Sequence, residues 1–332
     1  MDCHPSGARQ QRIGGDAVER IVNLPGGGRV VMKGTMVPDA WDCYTKTVNG
    51  HRETSFRNVV LWEESDELPP STWDDYLSQF EGAELAQRIA EREAELQEAR
   101  EKRQESNAQR AKAACRWFIK ANGLNELLTI TYRENQEDRA LCKLHFKEWV
   151  RRMKRALGGQ FVYCASFERQ ERGAMHVHVA CHKLPKHVQH KGAKIPAWRL
   201  GTEIWRAIVG KDNGLVFVGG RNRSGNRYTK PRSIAKIAAY VSKYIMKDYR
   251  DAPAESNRYS RSNKADGVQD LPKAEKARIW GATFEQMVEL AFRLEDGDVV
   301  VSHRLTRDDW RGDRYWLVTE PVSPGGSHGI VH

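Results

Sequence analysis

Two histidines separated by one apolar residue, His176 and His178, stand in the run ERGAMHVHVACH at positions 171–182. A β-strand sends alternate side chains to opposite faces. The two imidazoles therefore share a face with Ala180 and His182, while Val177 and Val179 point the other way. Imidazoles so placed can grip one divalent cation, or they can be polar groups on a half-exposed strand. With 11 His in 332 residues, chance supplies about 0.4 His-x-His pairs per chain, so the pair does not decide between these by itself.

A second cluster lies in AYVSKYIMK at 239–247. Tyr240 and Tyr244 are four residues apart, as are Lys243 and Lys247, and on a helix such positions share a face. Each tyrosine is followed three residues later by a lysine, which sets a cation beside each phenol. Core packing explains one tyrosine per turn; it does not explain two Tyr-x-x-Lys units in register. Tyr228, Tyr249 and Tyr259 read as boundary residues. A phenol is a weak nucleophile at neutral pH and needs activation. A cation on His176 and His178 would bind a non-bridging phosphate oxygen, and Lys243 or Lys247 would stabilise phenolate or the transition state. Attack on a phosphodiester would leave a 5′-phosphotyrosine and a free 3′-hydroxyl, with the bond energy conserved for rejoining.

The elements that must position these groups are legible in the periodicity. LNELLTITY reads as a strand ending near Tyr132. EDRALCKLHFKEWVRRMKRAL has the helical period, with Leu141, Leu144, Trp149, Met153 and Leu157 broadly on one face. GQFVYCASFE and GAMHVHVACH are strands joined by a turn at RQER-Gly173, and so form a hairpin. IPAWRLGTEIWRAIVG is a helix, GLVFVGG a strand and SIAKIAAYVSKYIMKDY a further helix. The order β-α-β-β-α-β-α is that of an α+β, ferredoxin-like or RNA-recognition-motif-like sandwich, an antiparallel sheet backed by helices on one face. Before it, residues 82–120 lack Pro and are rich in Ala, Glu, Arg and Gln, with pairs such as Glu84/Arg88; they predict a long charged helix. The organisation expected is an N-terminal region of unassigned role at 1–80, the helix at 81–121, the sandwich at 122–250 and a C-terminal extension at 251–332.

Charge points the same way. Residues 116–250 carry 28 Lys and Arg against 10 Asp and Glu, whereas residues 1–115 carry 15 against 20 and residues 251–332 carry 11 against 14. A segment this basic between mildly acidic ones is the footprint of a polyanion partner. No stretch reaches the ~18 apolar residues of a membrane span, the N-terminus shows no secretory pattern, and the six cysteines contain no Cys-x-x-Cys. These features predict reduced thiols and a cytoplasmic protein that makes no use of a membrane. GGGR at 26–29 lacks the Gly-Lys-Ser/Thr of a phosphate loop, so no ATPase module is expected.

The order of LLTITY, GAMHVHVA and YVSKYIMK resembles motifs one, two and three of rolling-circle replication initiators of the HUH endonuclease superfamily. YVSKYIMK is similar to the paired-tyrosine motif of initiators from small single-stranded-DNA phages. SFERQERGAMHVHVA, with ARIWGATF at 277–284, is similar to initiators of filamentous phages. The resemblance covers roughly residues 124–285.

It implies metal ligation by His176 and His178, with Glu168 on the preceding strand as third ligand and Glu171, nearer the turn, as its rival. It implies Mg²⁺ or Mn²⁺ as the cofactor, although imidazoles alone would also suit zinc. It makes Tyr240 and Tyr244 the nucleophiles and Lys243 and Lys247 their supports. Arg169, Arg172 and Lys236 are the DNA contacts expected around them, and His182 is DNA-proximal or merely exposed. The partners implied are single-stranded DNA at a replication origin and a host helicase and polymerase. Two rivals remain open at this level. One is a plasmid relaxase or transposase with the same chemistry. The other is a non-enzymatic sheet that holds single-stranded nucleic acid by charge and stacking.

Overall fold

The computed structural model describes residues 11–14, 17–24, 28–67, 72–218, 233–247, 257–293, 298–308 and 312–322. The chain divides into two compact units, one of residues 1–100 with 273–332 and one of residues 101–272. In chain order the first unit opens with β1 (Gln11–Gly14), β2 (Ala17–Asn23), β3 (Arg29–Val48), β4 (His51–Glu64) and α1 (Trp73–Leu77). The helix α2 (Gly82–Ala121) leads on to β5 (Glu126–Thr131), α3 (Arg139–Ala156), β6 (Tyr163–Arg169) and β7 (Met175–Cys181). A small hairpin follows, β8 (His187–His190) and β9 (Ala193–Pro196), then α4 (Ala197–Val209), β10 (Leu215–Val218), α5 (Ile234–Lys247) and β11 (Tyr259–Arg261). The chain then supplies β12 (Glu275–Trp280), α6 (Phe284–Phe292), β13 (Asp298–Asp308) and β14 (Gly312–Pro321).

The central unit is α+β, built on an antiparallel sheet ordered β10-β5-β7-β6-β11. The first four of these keep the strand order of a ferredoxin-like sandwich. Parity sorts the side chains. Leu128, Ile130, Phe167, Val177 and Val179 go to a core that α3 and α4 close with Phe146, Trp149, Leu200 and Trp205. Asp138 caps α3 by accepting from the amides of Ala140 and Leu141, and the two core indoles satisfy their N–H groups on backbone carbonyls, Trp149 on Gly201 at 3.0 Å and Trp205 on Thr131 at 3.0 Å.

Three features differ from the sequence expectation. The sheet is covered on both faces: six of the seven residues of β6 are buried, and Cys164 and Ala180 pack with Phe118 and Ile119 of α2 and Ile237, Ala238 and Val241 of α5. A strand apolar on both sides needs cover on both, and the last two turns of the charged helix supply part of it. The stretch expected as a C-terminal extension is split, because β11 extends the central sheet by pairing with β6 while the later strands do not. ARIWGATF falls in β12 and the start of α6, in the other unit.

That other unit is a seven-stranded antiparallel sheet, β1-β2-β3-β4-β14-β13 with β12 beside β3. Its core gathers Trp41, Phe56, Tyr315 and Leu317 under Met287 and Ala291 of α6. Among the described residues no helix is long and apolar enough to cross a membrane.

Gly214 shows how tightly the central sheet is assembled. Its φ is +126°, and a Cβ there would stand 2.3 Å from the Thr131 carbonyl oxygen and 2.7 Å from Trp205 Nε1. Gly214→Ala would disturb both the strand β5 that carries the site and the indole that anchors it. We expect it to destabilise the fold by about 2 kcal/mol or more, read by urea unfolding; an unchanged midpoint would contradict this packing.

Candidate active site

The hairpin β6–β7 sets the register of the site. Glu168 pairs with His176 and Ser166 with His178, while on the other side of β7 Thr129 pairs with His178 and Thr131 with His176. Residues opposite one another share a face, so two imidazoles, a carboxylate and three hydroxyls stand on the side turned from the aromatic core. The turn closes through Gly173, whose φ is +88° and whose missing Cβ would lie 2.7 Å from Glu137 Oε1.

Helix α5 lies over this face. Ala235, Ile237, Ala238, Val241 and Ile245 are its buried stripe, while Lys236, Lys243 and Lys247 are exposed. Ser166 Oγ donates to the Val241 carbonyl at 2.7 Å, which ties the helix to β6 at the level of the site. Tyr244, in the last turn of α5 and 6% exposed, stacks on His178 with ring centroids 3.9 Å apart and planes 10° from parallel. Tyr240 meets both rings edge-on, 5.4 Å from His178 and 5.3 Å from Tyr244. The Lys243 ammonium lies 4.7 Å from each phenol centroid. Lys247 does not sit beside a phenol as its spacing suggested; it donates to Glu168 Oε1 at 2.6 Å.

Glu168 is thus held from two sides, since His178 Nε2 lies 2.8 Å from its other oxygen. Burial pushes this carboxyl up, but the hydrogen bonds from His178 and Lys247 outweigh it and bring it down to about 2. Burial lowers His176 to about 4, helped by His178 and Arg172 and opposed by Glu168. His178 is also lowered by burial, against its hydrogen bond to Glu168. At neutral pH the site holds two neutral imidazoles beside an ionised carboxylate. The tautomer of His178 follows: Nε2 carries the proton it donates to Glu168, and Nδ1 faces the Thr129 hydroxyl at a long 3.5 Å.

His176 differs. Its Nε2 is buried and has no hydrogen-bond partner among the described residues, an uncommon condition for a buried ring nitrogen. Two neutral imidazoles and a carboxylate are donors that borderline divalent cations accept, and the partnerless nitrogen fits such a ligand. In this geometry Glu168 and His178 are turned to each other, and among the described residues no three such side chains converge on one point.

The remaining candidates spread around the rim. Arg169 donates to the Glu137 carbonyl at 3.0 Å and Arg172 to that of Tyr132 at 3.4 Å, with both side chains at the surface. Lys236 is exposed one turn before Tyr240. Glu171 and His182 are exposed and outside the cluster. Tyr228 and Tyr249 lie outside the described residues. Ser166 and Thr129 were missed in the sequence; the parity of their strands with His178 was the signal, legible once the pairing partners are known.

Residues 125–249 match a family model described as that of the replication-associated protein ORF2. No curated protein and no solved structure matches the chain. The matched segment contains the whole cluster around His178, and the match supports a replication initiator family and a role in DNA replication.

The Lys247–Glu168 pair has a consequence for acid stability. A carboxylate lowered in the folded state stabilises the fold above its unfolded value, and this is lost as pH falls through about 2. Lys247→Met removes one of the two partners, so the Glu168 carboxyl should titrate at higher pH and acid unfolding should begin earlier. Carbon-detected NMR of the Glu168 carboxyl checks this; an unmoved titration would show that Lys247 does not hold it.

Proposed function

We propose that the central unit is a metal-dependent endonuclease and strand transferase of the HUH type, acting on single-stranded DNA to initiate rolling-circle replication. The observation that carries this reading is the stacking of Tyr244 on His178, with Tyr240 edge-on to both and Lys243 over both phenols. A phenol has no packing need for a cation; a phenol about to become an anion does.

His176, His178 and Glu168 would hold Mg²⁺ or Mn²⁺, which when bound supplies Lewis-acid polarisation of the scissile phosphate. Lys243 stabilises the phenolate form of the attacking tyrosine. The tyrosine oxygen bonds to phosphorus, the bond to the 3′ oxygen breaks, and that oxygen leaves as the 3′-hydroxyl. Lys247 fixes the direction of the Glu168 carboxylate. With one tyrosine esterified to the 5′ end, the second, 5.3 Å away by ring centroids, is available for the later transfer that releases a circle. The exposed Lys236, Arg169 and Arg172 are placed to take flanking phosphates. The reading of the sheet as an open stacking platform is less favoured, because α5 covers the face that such a module leaves open.

Incubation with labelled single-stranded DNA and Mn²⁺ tests the chemistry. We expect a denaturation-resistant adduct mapped by mass spectrometry to Tyr240 or Tyr244, present in each single Phe variant and absent from the double variant. An adduct on any other residue, or one that persists in Tyr240→Phe/Tyr244→Phe, would refute the assignment.

The ligand set is tested separately. His176→Ala with His178→Ala should abolish cleavage while leaving most DNA affinity, which charge supplies. Glu168→Ala should raise the Mn²⁺ requirement about tenfold or more and Glu171→Ala should change it little. Cleavage that survives the double histidine variant, or excess chelator, would end the metal reading.

A further inference from the structure

The sheet of the other unit has one face closed by α6 over Trp41, Phe56 and Tyr315. By strand parity its opposite face carries Tyr44, Ser55 and Trp316 side by side, since Tyr44 pairs with Ser55 and Ser55 with Trp316. The same row continues to Lys276 on β12 and Arg304 on β13. The next row holds Arg278, Asp42, Arg57 and Arg314 in register.

All five cations of these rows are exposed. The single carboxylate, Asp42, is held by Arg278 at 2.8 Å. Arg57 lies 5.5 Å from the Tyr44 ring centroid and donates to its hydroxyl at 3.1 Å. Trp280, 57% exposed, continues the Arg278 side of β12. The chain segments that build this unit are acidic overall, with 20 Asp and Glu against 15 Lys and Arg in residues 1–115 and 14 against 11 in residues 251–332. Five cations and one carboxylate on two adjacent rows are therefore a local concentration, not a reflection of composition.

We propose that this face is a platform for single-stranded DNA, a second nucleic-acid site separate from the cluster around His178. Neighbouring strands are about 4.8 Å apart, so Tyr44 and Trp316, two strands apart, stand about 10 Å from each other. The small Ser55 between them leaves a floor between two aromatic walls. Unpaired bases stack on such walls while the flanking cations take their phosphates. Bases of a duplex are already stacked on one another and cannot enter. That the strand is DNA rather than RNA rests on the reading of the central unit as a DNA nuclease.

The test measures affinity of the full chain for labelled oligothymidine, a DNA duplex and an RNA oligonucleotide in excess chelator, across a range of salt. Tyr44→Ala should weaken single-stranded DNA binding about tenfold and leave duplex affinity unchanged. Arg304→Glu with Arg314→Glu, both at exposed positions, should flatten the salt dependence by about 1.4 in log–log slope, two phosphate contacts' worth. Neither change should alter adduct formation at saturating oligonucleotide with Mn²⁺. Parental affinity and slope in both variants would overturn the platform, as would equal losses on duplex or a preference for RNA. Should the parent form no adduct while Tyr44 and the two arginines still control single-strand affinity, the platform stands and the nuclease reading falls.

Discussion

A strand covered on both faces has to sort its side chains by parity, and β7 obeys this constraint at every position. Val177 and Val179 enter the core of Phe146, Trp149 and Trp205, so His176 and His178 have no choice but the opposite side. A slip of one residue would exchange the two sets and bury both imidazoles in apolar surroundings. The aromatic core therefore fixes the site from behind, without touching it. Everything else in the cluster is placed relative to that face.

Glu168 then decides the electrostatics. A carboxylate 7% exposed would ordinarily be raised by burial; His178 on its own sheet and Lys247 from α5 hold it ionised. The same two contacts join strand and helix, so the charge state of the site and the docking of α5 are not independent. The hydroxyl bond from Ser166 to Val241 secures the helix nearby without adding charge. Tyr244 is consequently clamped flat on His178, whereas Tyr240 and Lys243 stay nearer the solvent. Two tyrosines of one helical face thus have different surroundings, which suits a division of labour between a held and a more accessible phenol.

The two units use antiparallel sheets in opposite ways. In the central unit both faces are covered, and function has to gather at the end of the sheet where α5 leaves the histidines reachable. In the other unit α6 covers one face, and the opposite rows carry arginines, lysine and aromatics where a second apolar layer would otherwise be needed. Long strands such as the 20-residue β3 were not visible in the sequence, because their side chains alternate weakly and a bulge between Val37 and Trp41 shifts the parity midway. With no clean period of two there was nothing to mark them.

The sequence by itself determined the order of elements in the central unit, the β6–β7 hairpin, the long helix, and the identities of His176, His178, Tyr240 and Tyr244, because each depends on spacing within one segment. Periods of two and 3.6 are local properties, and so is a His-x-His or a Tyr-x-x-Lys. Only the tertiary structure decided which chain segments meet. Lys247 turns to Glu168 rather than to a phenol because α5 crosses β6 at that height. The C-terminal strands join the N-terminal sheet because backbone pairing partners far apart in sequence leave no periodic trace. The far face of the central sheet is closed by the end of α2, whose last turns hold Phe118 and Ile119 while its earlier turns are charged. Parity says which side a residue takes; the partner waiting on that side is set by long-range packing, which no single segment encodes.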